Sequence, residues 1–206
     1  MNHDHRNLAI VFDFGRVLLD WDPRYLYRRY FPDDPQAMER FLSEVNFYQW
    51  VRQQDAGRPF AETVAELCDQ FPHYCELIRA YDIHYEDTIT GPIRSTVEVL
   101  SELKRAGYPL YGLSNWPAGK FAIVRPKFEF LEWFDDIVIS GEIRIAKPDA
   151  RIFAYLLERA GKVASQCLFI DDSSKNIATA SQLGFQTVLF ESGEKLREAL
   201  VERGLL

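Results

Sequence analysis

The chain has 206 residues, 47% of them hydrophobic and 27% charged, with a formal net charge of −7. That length and balance support a real hydrophobic core, in one ordinary domain or a core with an inserted lobe, and exclude a disordered or fibrous chain. The acidic balance argues against general nucleic-acid binding, the apolar runs are too short to span a bilayer, and the N-terminal residues show no signal-peptide pattern, so a cytoplasmic protein is expected.

In chain order, residues 8–12 form a continuous apolar run, predicted as a first strand. From about 23 to 83 no strand signal follows. Met38, Phe41, Leu42 and Val45 have helical spacing, as do Phe60, Val64, Leu67 with Cys68, and Phe71, and then Tyr74, Leu77, Ile78 and Tyr81. Roughly four helices are expected there. Ile93, Val97, Leu100 and Leu103 form a further helical stripe, and apolar runs at 108–113 and 137–139 read as strands. A stripe of Ile152, Phe153, Leu156, Leu157 and Ala160 precedes the last two runs, 167–170 and 187–190. Strand runs without polar alternation are buried on both faces, as in a parallel sheet. The fold class is therefore α/β: a Rossmann-like parallel-sheet core of residues 1–19 and 91–206, interrupted by an all-helical insert over 20–90.

Three cysteines, Cys68, Cys75 and Cys167, make no Cys-x-x-Cys pair and are expected to be buried free thiols rather than a disulfide framework. His3 and His5 are expected on a frayed terminus.

Ligands of open parallel sheets sit beyond the carboxyl ends of the strands. The first run leads into Asp13-Phe14-Gly15, the second into Ser114-Asn115, the third through a short loop into Lys147-Pro148, and the fourth into Asp171-Asp172. Parallel strands would gather these groups on one edge. Three carboxylates placed together repel unless a cation joins them, and a hard divalent ion with oxygen ligands, Mg²⁺ above all, suits them. Such an ion and Lys147 would attract an anion such as a phosphate, Ser114 would hydrogen-bond its oxygens, and a carboxylate facing phosphorus can act as nucleophile. Each piece alone is ordinary turn, cap or loop chemistry; the ordered set is not.

In that order the residues resemble the haloacid dehalogenase-like hydrolase superfamily. Asp13-Phe14-Gly15-Arg16-Val17-Leu18 is similar to its first motif, Leu113-Ser114-Asn115 to the second, Lys147-Pro148-Asp149 to the third, and Ile170-Asp171-Asp172-Ser173 with Asn176 to the fourth. The resemblance covers nearly the whole chain, and the helical insert resembles the type-1 cap. It implies Asp13 as nucleophile and metal ligand, the Gly15 carbonyl as a second ligand, and Asp172 as the main ligand of motif four, with Asp171 beside it or acting through water. It implies Ser114 and Asn115 binding the transferring group and Lys147 stabilising developing charge. One position departs from the pattern. Phosphatases of the superfamily usually carry a second Asp two residues after the nucleophile, where this chain has Gly15. A subset resembling sugar-1-phosphate phosphatases has Asp-x-Gly first motifs. Arg16 is also unusual, and is expected either to reach the substrate or to pair with a surface acid.

Within the insert, the run 47–57, expected to join two helices, is a candidate for substrate contact, with Phe47 and Trp50 expected rather to pack between the lobe helices. Trp21 and Trp116, next to motifs one and two, are expected to line the pocket and bind substrate. Asp20 and Asp22 read as hinge or capping residues, either of which could stand in for the absent acid. The leading expectation is a Mg²⁺-dependent phosphatase of a small phosphorylated metabolite, for example a sugar phosphate, working through an aspartyl-phosphate on Asp13. The alternatives are a metal-independent 2-haloacid dehalogenase, in which the same Asp displaces halide from carbon, and a binding or regulatory protein with weak turnover. No nucleic-acid or membrane partner is expected, and the sequence does not indicate an oligomeric state.

Overall fold

The computed structural model of the protein describes residues 7–206; His3 and His5 lie outside the described residues. The chain begins with β1 (Ala9–Phe12) and β2 (Leu19–Trp21), then runs through helices α1 (Pro23–Tyr27), α2 (Pro35–Glu44), α3 (Phe47–Asp55), α4 (Phe60–Gln70) and α5 (Cys75–Ile83). It returns through β3 (Ile89–Pro92) to α6 (Arg94–Arg105), β4 (Leu110–Ser114), α7 (Ala118–Val124), β5 (Asp136–Ile139), α8 (Ser140–Ile143), α9 (Ala150–Ala160), β6 (Cys167–Asp171), α10 (Ser174–Gln182), β7 (Gln186–Leu189) and α11 (Gly193–Glu202).

Five strands pair in the order β5-β4-β1-β6-β7, all parallel. In β1, Ile10 and Phe12 belong to one core cluster with Val99, Leu100, Leu103, Leu196 and Leu200 of α6 and α11. Ala9 and Val11 belong to another, with Ile152, Phe153 and Leu156 of α9 and Ala180 of α10. Helices on both faces explain why the strand runs carry no polar alternation. All five predicted strands are present. The 108–113 run begins its strand at Leu110, after the turn at Gly107, and continues to Ser114.

A two-stranded antiparallel ribbon, β2 with β3, was not anticipated. It carries the chain out to the helices and back, closed at one end by the Ile93 amide donating to the Leu18 carbonyl (2.8 Å) and at the other by the Asp22 amide donating to the Thr88 carbonyl (2.9 Å). Five α-helices, rather than four, occupy residues 23–83 among the described residues. The extra one is α3, which forms where the run 47–57 is expected only to join two helices; α1 is short and capped by Asp22, whose carboxylate accepts from the Arg24 amide at 2.8 Å. An aromatic cluster fills this helical region: Tyr27 meets Phe41 edge-on at 4.9 Å, and Phe47 meets Tyr81 edge-on at 5.0 Å. Phe47 and Trp50 are thus packed inside it, with the Trp50 indole donating to the Thr63 carbonyl at 3.0 Å.

The cysteine expectation needs one correction. Cys68 in the last turn of α4 and Cys75 at the start of α5 are joined as a disulfide, their Cα atoms 4.6 Å apart. The turn at 71–74 folds α5 back onto α4 and brings together residues that look unrelated along the sequence. Cys167 is free and buried, as expected.

Candidate active site

The sheet register brings the polar groups together. Phe12 pairs with Gly112 on one side and Ile170 on the other, so β1, β4 and β6 end side by side. β1 is also where successive strands switch from one side of the sheet to the other, leaving a crevice at the carboxyl ends. Asp13 enters this crevice with its amide donating to the Ile170 carbonyl at 2.9 Å. Close packing supports the turn that follows: a Cβ at Gly112 would collide with the Phe14 ring. Arg16 then adopts a left-handed backbone (φ 63°), and the Phe14 carbonyl accepts from the Leu18 and Leu19 amides at 2.8 and 2.9 Å. The Gly15 carbonyl accepts no hydrogen bond among the described residues.

Asp13, Asp171 and Asp172 each offer a carboxylate oxygen within 4.8 Å of the others. Three donors converge on Asp13 Oδ1: the Phe14 amide at 2.7 Å, the Ser114 hydroxyl at 2.9 Å and Lys147 Nζ at 3.0 Å. Among the described residues none reaches Oδ2, so the carboxylate is fixed by one oxygen and keeps the other free. Lys147 is fully buried and bridges the acids, donating also to Asp171 Oδ2 at 2.7 Å and to the Leu113 carbonyl at 2.6 Å. Asp171 is further held by the Ser173 amide at 2.8 Å and by Asn176 at 2.9 and 3.0 Å. Asp172 is more open and pairs with Arg16 at 3.4 Å.

Burial lifts the Asp13 carboxyl to about 7; Lys147 pulls it down, while Asp171 and Asp172 push it further up. Burial also raises Asp172, against the pull of Arg16. Burial opposes the charge on Lys147, but Asp13 and Asp171 outweigh it and hold the ammonium above its ordinary range. A cluster of oxygen donors with one anionic oxygen free on Asp13, an open Asp172 and a bare carbonyl at Gly15 fits a hard divalent cation such as Mg²⁺.

The sequence-predicted residues converge, with two refinements of position. Ser114 is buried behind Asp13 and directs its hydroxyl proton to it. Asn115 clamps the Lys147 backbone from both ends of its amide, accepting from the Lys147 amide at 2.8 Å and donating to its carbonyl at 2.9 Å. Arg16, Trp21 and Trp116 all border a cavity of about 520 Å³ that opens onto Asp13, Lys147 and Asp172. Asp20 and Asp22 do not border it: Asp20 accepts from the Tyr25 and Thr90 hydroxyls, and Asp22 caps α1. From the run 47–57, Tyr48, Val51, Arg52 and Asp55 face the cavity. Tyr81 and Tyr85 face it too, and were missed because Tyr81 is indistinguishable from a core position of its helical stripe. Trp21 meets Tyr48 edge-on at 6.4 Å and Trp116 lies 6.4 Å from Tyr85, so two aromatic pairs wall the cavity above the acids.

The haloacid dehalogenase-like hydrolase family matches residues 5–184 of this sequence. The chain belongs to this family of hydrolases. It is 28% identical over 208 residues to drimenol cyclase drtB of Aspergillus calidoustus, a match covering 96% of this chain but 38% of that protein. It is 24% identical over 201 residues to D-ribitol-5-phosphate phosphatase of Bacteroides thetaiotaomicron, covering 93% and 95% of the two chains. A match to sesquiterpene phosphatase astK of Aspergillus oryzae is 24% identical and covers 85% and 86%. Among solved structures, a HAD family enzyme of Bacteroides thetaiotaomicron superposes with a TM-score of 0.72 at 22% identity, covering 94% of this chain and 98% of that one. The structure of that enzyme in complex with magnesium and inorganic phosphate superposes with a TM-score of 0.67 at 23% identity, over 90% and 95%. At this identity the superpositions establish a shared fold. Among the described residues, no helix of this family member is long and apolar enough to cross a membrane.

Proposed function

We propose that this hydrolase is a Mg²⁺-dependent phosphatase of small phosphate monoesters, working through an aspartyl-phosphate on Asp13. The observation that carries the reading is the meeting of Asp13, Asp171 and Asp172 around a buried Lys147, with Asp13 Oδ2 left free. Asp13, Asp172 and the Gly15 carbonyl would hold the ion, with Asp171 beside them. The ion, when bound, supplies positive charge that offsets the carboxylates and the developing charge of phosphoryl transfer.

The chain's own residues supply the remaining chemistry. Ser114, the Phe14 amide and Lys147 fix Asp13 by Oδ1, so that its other oxygen is presented in one orientation. The Lys147 charge lies beside both the nucleophile and Asp171 and draws the phosphoryl group toward them. Asn115 sets the Lys147 backbone and thereby the reach of its ammonium. Residues 20–90 act as the family's helical cap, and their aromatic pairs enclose the organic part of the substrate and exclude water. A cavity of about 520 Å³ suits a metabolite of sugar-phosphate size, for which Trp21 and Trp116 offer stacking faces.

The dehalogenase reading shares Asp13 but suits this site poorly, because Asp171 and Asp172 would repel both a haloacid carboxylate and the departing halide. Purified protein is expected to release phosphate from members of a sugar- and polyol-phosphate panel with Mg²⁺, to stop on chelation, and to release no halide from 2-haloacids. Metal-independent halide release, or inertness toward the whole phosphate panel, would overturn the proposal.

A further inference from the structure

A proton must reach the leaving oxygen when a phosphate monoester is cleaved, yet Gly15, two residues after Asp13, offers no side chain that could supply it. The groups around the cavity are mostly committed. Lys147 is buried between two carboxylates, Asp172 is paired to Arg16, and Asp171 accepts from Lys147, Asn176 and the Ser173 amide. Asp20 and Asp22 are occupied on the ribbon and the cap of α1.

We propose that Asp55, at the end of α3, is the general acid and general base of this site, an assignment that rests on the phosphatase reading. Asp55 borders the same cavity as Asp13 and Lys147. Its carboxylate takes no hydrogen bond or ion pair among the described residues. Its backbone, by contrast, is pinned to the sheet edge. The Ser140 hydroxyl donates to the Asp55 carbonyl at 2.6 Å and accepts from the Trp116 amide at 2.9 Å. Gly57, two residues on, has φ +89° and lies against Arg144, where a Cβ would collide. The end of α3 therefore presents a free carboxyl to the cavity from a fixed main chain.

The charges that bear on Asp55 come from several elements. Asp13 follows β1, Lys147 precedes α9, and Arg52 lies one turn back on α3; the hydroxyls of Tyr81 on α5 and Tyr85 just beyond it also sense Asp55. Burial lifts the carboxyl to about 7, with Asp13 adding to the rise and Lys147 and Arg52 opposing it, which suits a group that must both give and take a proton near neutrality. In the first step an Asp13 oxygen bonds to phosphorus, the bond from phosphorus to the ester oxygen breaks, and that oxygen takes the Asp55 proton and leaves as an alcohol. In the second, water attacks phosphorus and gives a proton to the Asp55 carboxylate, the bond to Asp13 breaks, and phosphate leaves with the starting protonation of Asp55 restored.

The test compares D-ribitol 5-phosphate with 4-nitrophenyl phosphate, whose leaving group departs without a proton, under Mg²⁺ and with rapid quenching. Asp55→Asn is expected to slow alcohol release from the alkyl ester on the order of 10²- to 10³-fold. It should keep the first-turnover burst of 4-nitrophenol within about tenfold of wild type and lose the alkaline limb of kcat/KM. Asp55→Glu is expected to keep that limb at a displaced pH. A folded Asp55→Asn with an unaltered alkaline limb and an unaltered alkyl-to-aryl ratio overturns this assignment alone, whereas a wild type inert toward both esters overturns it together with the phosphatase reading. Should Asp55→Asn not fold, Asp55→Glu decides: a displaced limb supports the assignment and an unmoved one overturns it.

Discussion

Asp13 and Lys147 depend on each other. On the proposed mechanism, Asp13→Asn, which keeps the shape of the side chain but removes its nucleophilic oxygen, is expected to lower phosphate release by on the order of 10⁴-fold or more in a steady-state phosphate assay. Lys147→Met leaves Asp13 and Asp171 buried without their cation. It should cost about 3–5 kcal/mol of stability by urea unfolding without metal, besides removing turnover. Asp55 makes the opposite prediction. Its folded carboxyl titrates near 7, above the ordinary value of 3.8, so the fold favours the protonated form. That preference is intact below pH 4, and stability is lost as the pH rises from about 4 to about 7. Asp55→Asn is therefore expected to be neutral toward stability at pH 4 and stabilising at pH 8, by on the order of 1 kcal/mol, or a few degrees of melting temperature for a chain this size. A melting difference between variant and wild type that does not change with pH would contradict this.

The strands and the helices differ in how they support the site. Gly112 lies directly under Phe14 on β4, and Gly112→Val is expected to lower stability by about 1–3 kcal/mol in a thermal melt and to disturb the turn that carries Asp13. Elements packed on two sides or along one stripe were legible in the sequence, since burial dictates continuous apolar runs for the five strands and i, i+3, i+4 spacing for α2, α4, α6 and α9. The ribbon was not. Leu19–Trp21 is three residues with an Asp in the middle, and its pairing with Ile89–Pro92 spans nearly seventy residues of intervening chain. The Cys68–Cys75 pairing was hidden for a similar reason, because it depends on how sharply α5 turns back on α4. The acids at the strand ends could be located because each follows a strand in a parallel sheet, whose register aligns those ends. The run that holds Asp55 could be singled out for substrate contact, but the facing of Asp55, Tyr81 and Tyr85 could not be read, because it depends on how the helices of residues 23–88 dock over the sheet, and local periodicity carries no record of that.

At the scale of the molecule, the sheet edge and the helices above it share one cavity, and the claim that unites them is phosphoryl transfer through Asp13 with a divalent ion present. A bound ion stabilises the folded state by mass action, about 2.7 kcal/mol at a hundredfold excess over its dissociation constant. Mg²⁺ is therefore expected to raise the melting temperature of the wild type by several degrees and to have little effect on Asp172→Asn. The most direct test is acid quenching during turnover of a radiolabelled phosphate monoester, followed by peptide mapping of the label. The account predicts one phosphoryl group on the peptide containing Asp13 when Mg²⁺ is present, and none after chelation or in Asp13→Asn. Continued phosphate release with an unlabelled protein, or a label on another residue, would contradict it.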